Sequence, residues 1–105
     1  MPYALSHDVP ADAQTYRAVR AAIGDDPPHG LVVHLVFEVE DGLRHIGVWD
    51  TEAHWRRFRD ERSEPAVHAV LSASGVGVMP PDPPSEELQV VDVWLPSRAA
   101  VPGPR

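Results

Sequence analysis

Three of the six histidines lie on predicted β-strands. They are His7, His34 and His45. Imidazole is the only side chain whose ordinary pKa lies between pH 5 and 8, so a histidine that lines an apolar cavity can take up and return a proton. The competing interpretation is that these are strand residues whose ring nitrogens are satisfied by neighbours or by water.

A carboxylate beside a histidine would fix its tautomer and raise its basicity, as a general base requires. Residues 31–39 and 43–49 read as two strands, joined at Asp41-Gly42 in a sequence typical of a two-residue hairpin turn. With Glu40 opposite Leu43, His45 lies across from Glu38 and His34 across from Trp49. The predicted catalytic group is therefore His34, His45 and Glu38.

A second set of residues could wall a pocket around that group. Trp49 and Trp94 carry flat rings that stack on a polycyclic ligand, although packing in a subunit interface would use them equally well. Asp92 could serve a histidine as a carboxylate partner. The predicted substrate-binding residues are Trp49, Trp94, Asp92, His7 and Val36.

The elements that would position these residues follow the order βαββαβ. Tyr16, Val19 and Ile23 have the spacing of an amphipathic helix, and a second helix carries Trp55, Phe58, Arg62 and Ala66 on one stripe after a cap at Asp50 or Thr51. Pro65 predicts a kink or a restart of that helix. The predicted segments are strand 3–9, helix 11–23, strand 31–39, strand 43–49, a helix from residue 52, a proline-rich loop over 74–87 and strand 88–95.

Composition limits the class of protein. The chain has 105 residues, no cysteine, nine arginines, no lysine and a net charge of −7. Such an acidic chain is repelled by phosphate backbones, so nucleic acid is not an expected partner. No apolar run of 18 residues predicts a membrane span. We expect a cytoplasmic protein with one domain over residues 1–95 and a flexible tail over 96–105.

In this α+β arrangement both helices cover one face of a four-stranded antiparallel sheet. In the preferred register, Leu35 and Phe37 face the helices together with Val48 and Ile46. A three-residue turn would instead move His45 and Trp49 to the helix side. The opposite face is too apolar to remain in water, which predicts a homodimer packed sheet to sheet. Its apolar residues in that register are Val32, Val36, Val90, Trp49 and Trp94.

The stretch from Leu43 to Ala66, LRHIGVWDTEAHWRRFRDERSEPA, runs from a strand ending in Trp-Asp-Thr-Glu into an aromatic-bearing helix. It resembles the dimeric α+β-barrel superfamily of ferredoxin-like proteins that contains the antibiotic-biosynthesis monooxygenases. The resemblance implies a homodimer with a cavity in each subunit, and oxygenation or cyclisation of an aromatic or polyketide-like metabolite. It implies no cofactor.

Other functions compete with this one because the same barrel hosts unrelated activities and proteins with none. A non-catalytic dimer acting as a ligand-binding or stress-related module would fill its cavity with its own side chains. Some relatives in the superfamily degrade haem using a histidine on the second helix, where His68 lies, but His68 falls on the outer face of an unbroken helix. We expect no metal, because no histidine pair has metalloprotease spacing and the chain has no cysteine.

Overall fold

The computed structural model describes residues 2–78 and 83–95. The predicted tail over 96–105 lies outside these residues. The order βαββαβ is confirmed, with the second helical region split by one wide turn. The elements are β1 (Tyr3–Val9), α1 (Ala13–Ile23), β2 (Leu31–Val39), β3 (Gly42–Trp49), α2 (Glu52–Phe58), a π-helical turn (Arg59–Ser63), α3 (Glu64–Ala73) and β4 (Ser85–Leu88).

The strands form one antiparallel sheet in the order β2-β3-β1-β4. This is the ferredoxin-like α+β arrangement that the sequence predicts. Side-chain caps begin both principal helices: Asp12 accepts the amide of Thr15 at the start of α1, and Thr51 accepts the amide of His54 at the start of α2. Within the part of the chain that the structure describes, no helix is both long and apolar enough to cross a bilayer.

The predicted interruption at Pro65 takes the form of the π-helical turn. Pro65 cannot donate a backbone hydrogen bond, and its ring would crowd the carbonyl one turn earlier in a regular α-helix. The amide of Glu64 bonds to the carbonyl of Arg59, five residues back, and α3 begins from there with Pro65 in its first turn. From the same turn, Arg62 donates to the carbonyl of Ile23 at 3.1 Å, which ties the second helical region to the end of α1.

The hairpin register differs from the predicted one. The turn residues are Glu40 and Asp41, because Val39 already pairs with Gly42. His34 therefore lies opposite Gly47 and not Trp49, and the predicted pairing of His45 with Glu38 is also wrong. His45 pairs with Val36, and Glu38 pairs with Leu43.

The face that the helices cover is also the opposite of the preferred prediction. Trp49 is only 3% exposed because its ring lies 6.0 Å from that of Trp55 and 5.2 Å from that of Phe58, both on α2. Residues alternate between the faces of a strand, so the histidines that share a face with Trp49 also lie on the helix side. Leu35 and Phe37 lie on the open face and remain 46% and 45% exposed.

The predicted position of the final strand is wrong: β4 (Ser85–Leu88) lies almost entirely within the predicted loop over 74–87, and only Leu88 belongs to the predicted strand 88–95. β4 ends at Leu88, which pairs with Ala4, and residues 89–95 continue outside the sheet. Because β4 is antiparallel to β1, the chain after Leu88 runs towards the N-terminal end of β1. Of the residues of β1, only Tyr3 is left there to pair with it. Val91 and Trp94 are consequently 97% and 87% exposed.

Gly42 allows the hairpin to approach the end of β1. Its φ is +151°, and a Cβ atom there would run into the carbonyl of Val9. We expect Gly42→Ala to lower the free energy of unfolding by about 3 kcal/mol, because steric overlap adds to backbone strain. Urea denaturation followed by circular dichroism measures the loss.

Gly75→Ala is the matched control for that substitution. Gly75 also has positive φ, +89°, but nothing lies within 4 Å of an added Cβ. The expected loss is about 1 kcal/mol, from backbone strain alone. Equal losses in the two variants would show that the close approach to β1 contributes nothing.

Candidate functional site

Three histidines from three neighbouring strands meet on the helix-facing side of the sheet. His7 of β1 pairs directly with His45 of β3, and His34 of β2 lies opposite Gly47, two residues from His45 along β3. Gly47 has no side chain, and a Cβ atom there would lie 3.0 Å from Nε1 of Trp49, so the glycine makes room for the ring of Trp49 beside the histidines. We call His7, His45 and His34 the histidine row.

The rings of the histidine row contact one another. His7 and His45 stack with centroids 4.9 Å apart and planes 11° from parallel. Nε2 of His34 lies 3.4 Å from Nδ1 of His45, at the long end of hydrogen-bonding distance. The histidine row is therefore a continuous set of imidazoles across three strands.

Aromatic side chains from both helices flank the histidine row. Tyr16 of α1 presents an edge to His45 at 5.5 Å between centroids and lies 6.4 Å from His34. Trp55 of α2 lies 6.3 Å from His7. These rings form apolar walls that raise the energy of a charge placed between them.

Burial lowers the pKa of each member of the histidine row. Partial burial is the main cause for His7, and the charge of Asp8 opposes it. For His45, burial together with the positive charges that His7 and His34 would carry lowers the pKa to about 4. His34 keeps exposed surface, yet partial burial lowers its pKa as well, and the positive charges of His7, when protonated, and of Arg20 lower it further. At neutral pH the three rings are therefore uncharged, and His34 is the solvent-facing member.

Neutral imidazoles can accept a proton from a bound acidic ligand. Each ring has one N–H donor and one nitrogen lone pair, so each can accept a proton from an acidic ligand while donating a hydrogen bond elsewhere. Apolar walls also strengthen the attraction between the imidazolium and the ligand anion that such a transfer creates. The arrangement suits proton abstraction from a flat, weakly acidic molecule.

The other predicted site residues are dispersed. Val36 is the cross-strand neighbour of His45, while Glu38 lies exposed near the hairpin turn. Trp49 belongs to the core under α2. Asp92 and Trp94 are exposed on the segment after β4, and no ring contact in the described residues joins Trp94 to the histidine row.

Two open depressions of about 440 and 540 Å3 lie at the hairpin end of the sheet. Asp41 and Gly42 line both of them, and Glu38 lines the second. Neither includes a member of the histidine row. In the isolated subunit these depressions and the candidate site are different places.

Tyr16 and Trp55 are candidate ligand contacts that were not among the predicted substrate-binding residues. Both lie on the predicted inward stripes of their helices. The sequence does contain a signal for these contacts, because the inward stripe of a helix must contact the strand face that the helix covers. Placing the histidines on that face would have predicted both contacts.

Comparison with known proteins supports the fold. No protein-family model matches the sequence, and no curated protein matches it significantly. Three solved structures match over most of their length. Rv0793 from Mycobacterium tuberculosis has a TM-score of 0.54 and 15% identity over 89% of this chain and 98% of its own. NE2512, a protein of unknown function from Nitrosomonas europaea, has a TM-score of 0.55 and 12% identity over 91% and 93%.

The third is a monooxygenase from the gene ActVA-Orf6 of Streptomyces coelicolor, in complex with nanaomycin D. It has a TM-score of 0.51 and 19% identity over 91% of each chain. This chain has the fold of that monooxygenase. The resemblance predicted from residues 43–66 is thereby confirmed at the level of the fold.

Two observations bear on the metal and haem alternatives. Residues 2–78 and 83–95 contain no group of three or more histidine, aspartate or glutamate side chains arranged to hold a metal ion. His68 is exposed on α3, as predicted for the outer face of the helix.

The lowered pKa values predict a specific dependence of stability on pH. A histidine whose pKa is lower folded than unfolded binds its proton more readily in the unfolded chain, so acid favours unfolding. The contribution of His45 is complete above its ordinary value of 6.5 and is lost as pH falls towards about 4. After allowance for solvent screening, we expect that loss to be on the order of 2 kcal/mol.

Urea denaturation between pH 7 and pH 4 measures this dependence. In His45→Gln the slope of the unfolding free energy against pH should be shallower across that window, because the residue no longer titrates. His68→Gln, which removes an exposed histidine, is the matched control and should retain the wild-type slope. An unchanged slope in His45→Gln would contradict the burial of a neutral ring.

Proposed function

We propose that this protein is a small enzyme that removes a proton from a planar aromatic or polyketide-like metabolite, with the histidine row as its general base. The subsequent reaction is cofactor-independent monooxygenation or cyclisation. The observation that carries the proposal is the row itself: three uncharged imidazoles, of which His45 contacts both His7 and His34, lie between the sheet and aromatic residues of both helices.

The monooxygenase neighbour supports the class of ligand. That protein was solved with nanaomycin D, so its fold accommodates a small organic molecule in at least one member. At 19% identity the similarity extends to the fold, and the chemistry has to come from the residues of this chain. Tyr16 and Trp55 would provide the flat surfaces on which such a ligand stacks.

The proposed chemistry begins with transfer of an acidic proton from the ligand to His34 or His45, while its bonding electron pair remains on the ligand as an enolate or phenolate. In the oxygenation case this electron-rich anion reduces dioxygen, which is both the oxidant and the oxygen source. A methylene group becomes a carbonyl, and the second oxygen atom leaves as water with the two methylene hydrogens. The imidazolium returns its proton during the formation of that water.

The proposal extends to a homodimer through the open face of the sheet. Leu35 and Phe37 of β2 lie beside Ile46 and Val48 of β3 on that face, which the helices do not cover. A second copy packed on it would bury the apolar patch. In the dimer, the exposed segment that carries Asp92 and Trp94 would have a surface to pack against, and their predicted part in ligand binding depends on that second subunit.

The alternative is a non-catalytic dimer that acts as a ligand-binding or stress-related module. Its supporting observation is that the two open depressions of about 440 and 540 Å3 lie away from the histidine row. In this case contacts among the rings would stabilise the fold and bind nothing. The two functions predict different responses to ligands.

A thermal-shift screen with planar phenols and haem separates them. A catalytic site predicts stabilisation by a phenol that is lost in His34→Ala or His45→Ala while circular dichroism remains native. His68→Ala should retain the stabilisation and serves as the control. If no phenol stabilises the wild-type protein, the proposed catalytic site is wrong. Stabilisation by haem that depends on His68 would favour haem binding instead.

A further inference from the structure

The contact between His34 and His45 has a consequence for how protons are held. Nε2 of His34 and Nδ1 of His45 are 3.4 Å apart, so one hydrogen can lie between them. If His45 donates this hydrogen, the unused nitrogen lone pair is on Nε2 of His45. If His34 donates it, the free lone pair is on Nδ1 of His34. In either arrangement the pair presents one lone pair and one free N–H, on different rings.

We propose that His34 and His45 act as a single unit that accepts one proton, and that His7 is the positioning residue that holds this unit in geometry. This inference deepens the proposed function. Only one part of it rests on that function, namely that the proton comes from a ligand. A proton arriving at either free lone pair is then shared through the internal hydrogen bond. The bonding electrons remain on the donor, and the pair carries one positive charge.

Stacking explains the role given to His7. Its ring lies parallel to His45 at 4.9 Å, and Tyr16 presents an edge to His45 at 5.5 Å. Contacts on a face and at an edge leave the imidazole of His45 little freedom to rotate about χ2. His7 therefore fixes the direction of Nδ1 of His45 by stacking and not by a hydrogen bond.

The surrounding charges favour one proton over two. His7 contributes like charge to both rings when protonated, and Arg20 of α1 adds positive charge near His34. Asp8 acts on His7 in the opposite sense. From α1 and α2 the nearest rings are those of Tyr16 and Trp55. A second proton on the pair would place two cations at 3.4 Å, so it enters only at much lower pH.

Proton titration of the histidine rings by NMR tests the proposal without a ligand. The Hε1 and Hδ2 signals of His34 and His45 should shift together with one shared midpoint, and again at lower pH when the second proton enters. His7→Phe keeps a stacking ring and should preserve the shared midpoint. His7→Ala should separate the two curves while the amide spectrum remains that of a folded protein.

Each result decides one statement. Independent single midpoints for His34 and His45 in the wild-type protein would overturn the shared proton. A shared midpoint that survives in His7→Ala would overturn the positioning role, and His7→Val replaces that variant if alanine unfolds the chain. A protein that binds a phenol but shows independent midpoints keeps the proposed function and loses this inference. Shared midpoints in a protein that binds no phenol would keep this inference and overturn the proposed function.

Discussion

Alanine in place of His34 is expected to lower kcat/KM for a planar, enolisable phenol by about 10²–10⁴-fold, the usual contribution of a positioned general base. His34 is the solvent-facing member of the histidine row, so its ring is the one that an entering ligand meets first. His45→Ala should cause a loss of similar size, because it removes the other half of the proton-accepting pair. Initial rates of dioxygen uptake measure both effects.

Two controls separate loss of the base from general damage. His68→Ala removes an exposed histidine on α3 and should retain the wild-type rate. Tyr16→Phe keeps the ring beside the histidine row and should change the rate only a few-fold, because Tyr16 packs against the ligand and takes no part in proton transfer. A His34→Ala variant that folds normally and turns over at the wild-type rate would show that the base lies elsewhere.

Two aspartates on the open sheet face are expected to convert the proposed dimer to a monomer. Leu35 and Phe37 remain 46% and 45% exposed in the isolated subunit, so they would lie within the proposed interface. Burying two unpaired carboxylates against the partner's apolar face costs several kcal/mol. The Leu35→Asp, Phe37→Asp double variant should therefore raise the dimer dissociation constant by at least about 10³-fold.

Sedimentation velocity at micromolar concentration measures this change. Val78 is 86% exposed and lies in the segment after α3, outside the strands, so Val78→Asp is the matched control and should remain dimeric. The wild-type protein sedimenting as a monomer would contradict the interface, as would a double variant that stays dimeric. In either event the open face would need a different partner.

Local features of the sequence were sufficient to predict most elements. Tyr3–Val9 and Leu31–Val39 occur at the bounds that alternation indicated, and Thr51 caps α2 as one of two named candidates. Pro65 produced the expected restart, because a missing backbone donor is a property of the residue itself. Each of these rests on interactions within a few positions of the chain.

The histidine face was harder to predict because both faces of the sheet are apolar. Strand alternation correctly grouped His34 with His45 and Trp49, but it carries no information about which group the helices cover. The decision depends on a distant contact: Trp49 fits against Trp55 and Phe58. Leu35 and Phe37 would have been an equally apolar choice.

The partners of the histidines depended on register. Moving the turn from Asp41-Gly42 to Glu40-Asp41 replaces Glu38 by Val36 as the neighbour of His45. The predicted carboxylate–histidine pair thus becomes an imidazole–imidazole pair, with different proton chemistry. The position of Gly42 explains the shift, because only glycine tolerates its φ of +151° beside Val9, and that conformation begins β3.

NMR mapping of a bound planar phenol tests the central claim most directly. The largest shifts on titration are expected at the rings of His34 and His45 and at Tyr16, between the sheet and the helices. Shifts confined to the hairpin depressions around Asp41, or to Leu35 and Phe37 on the open face, would contradict it.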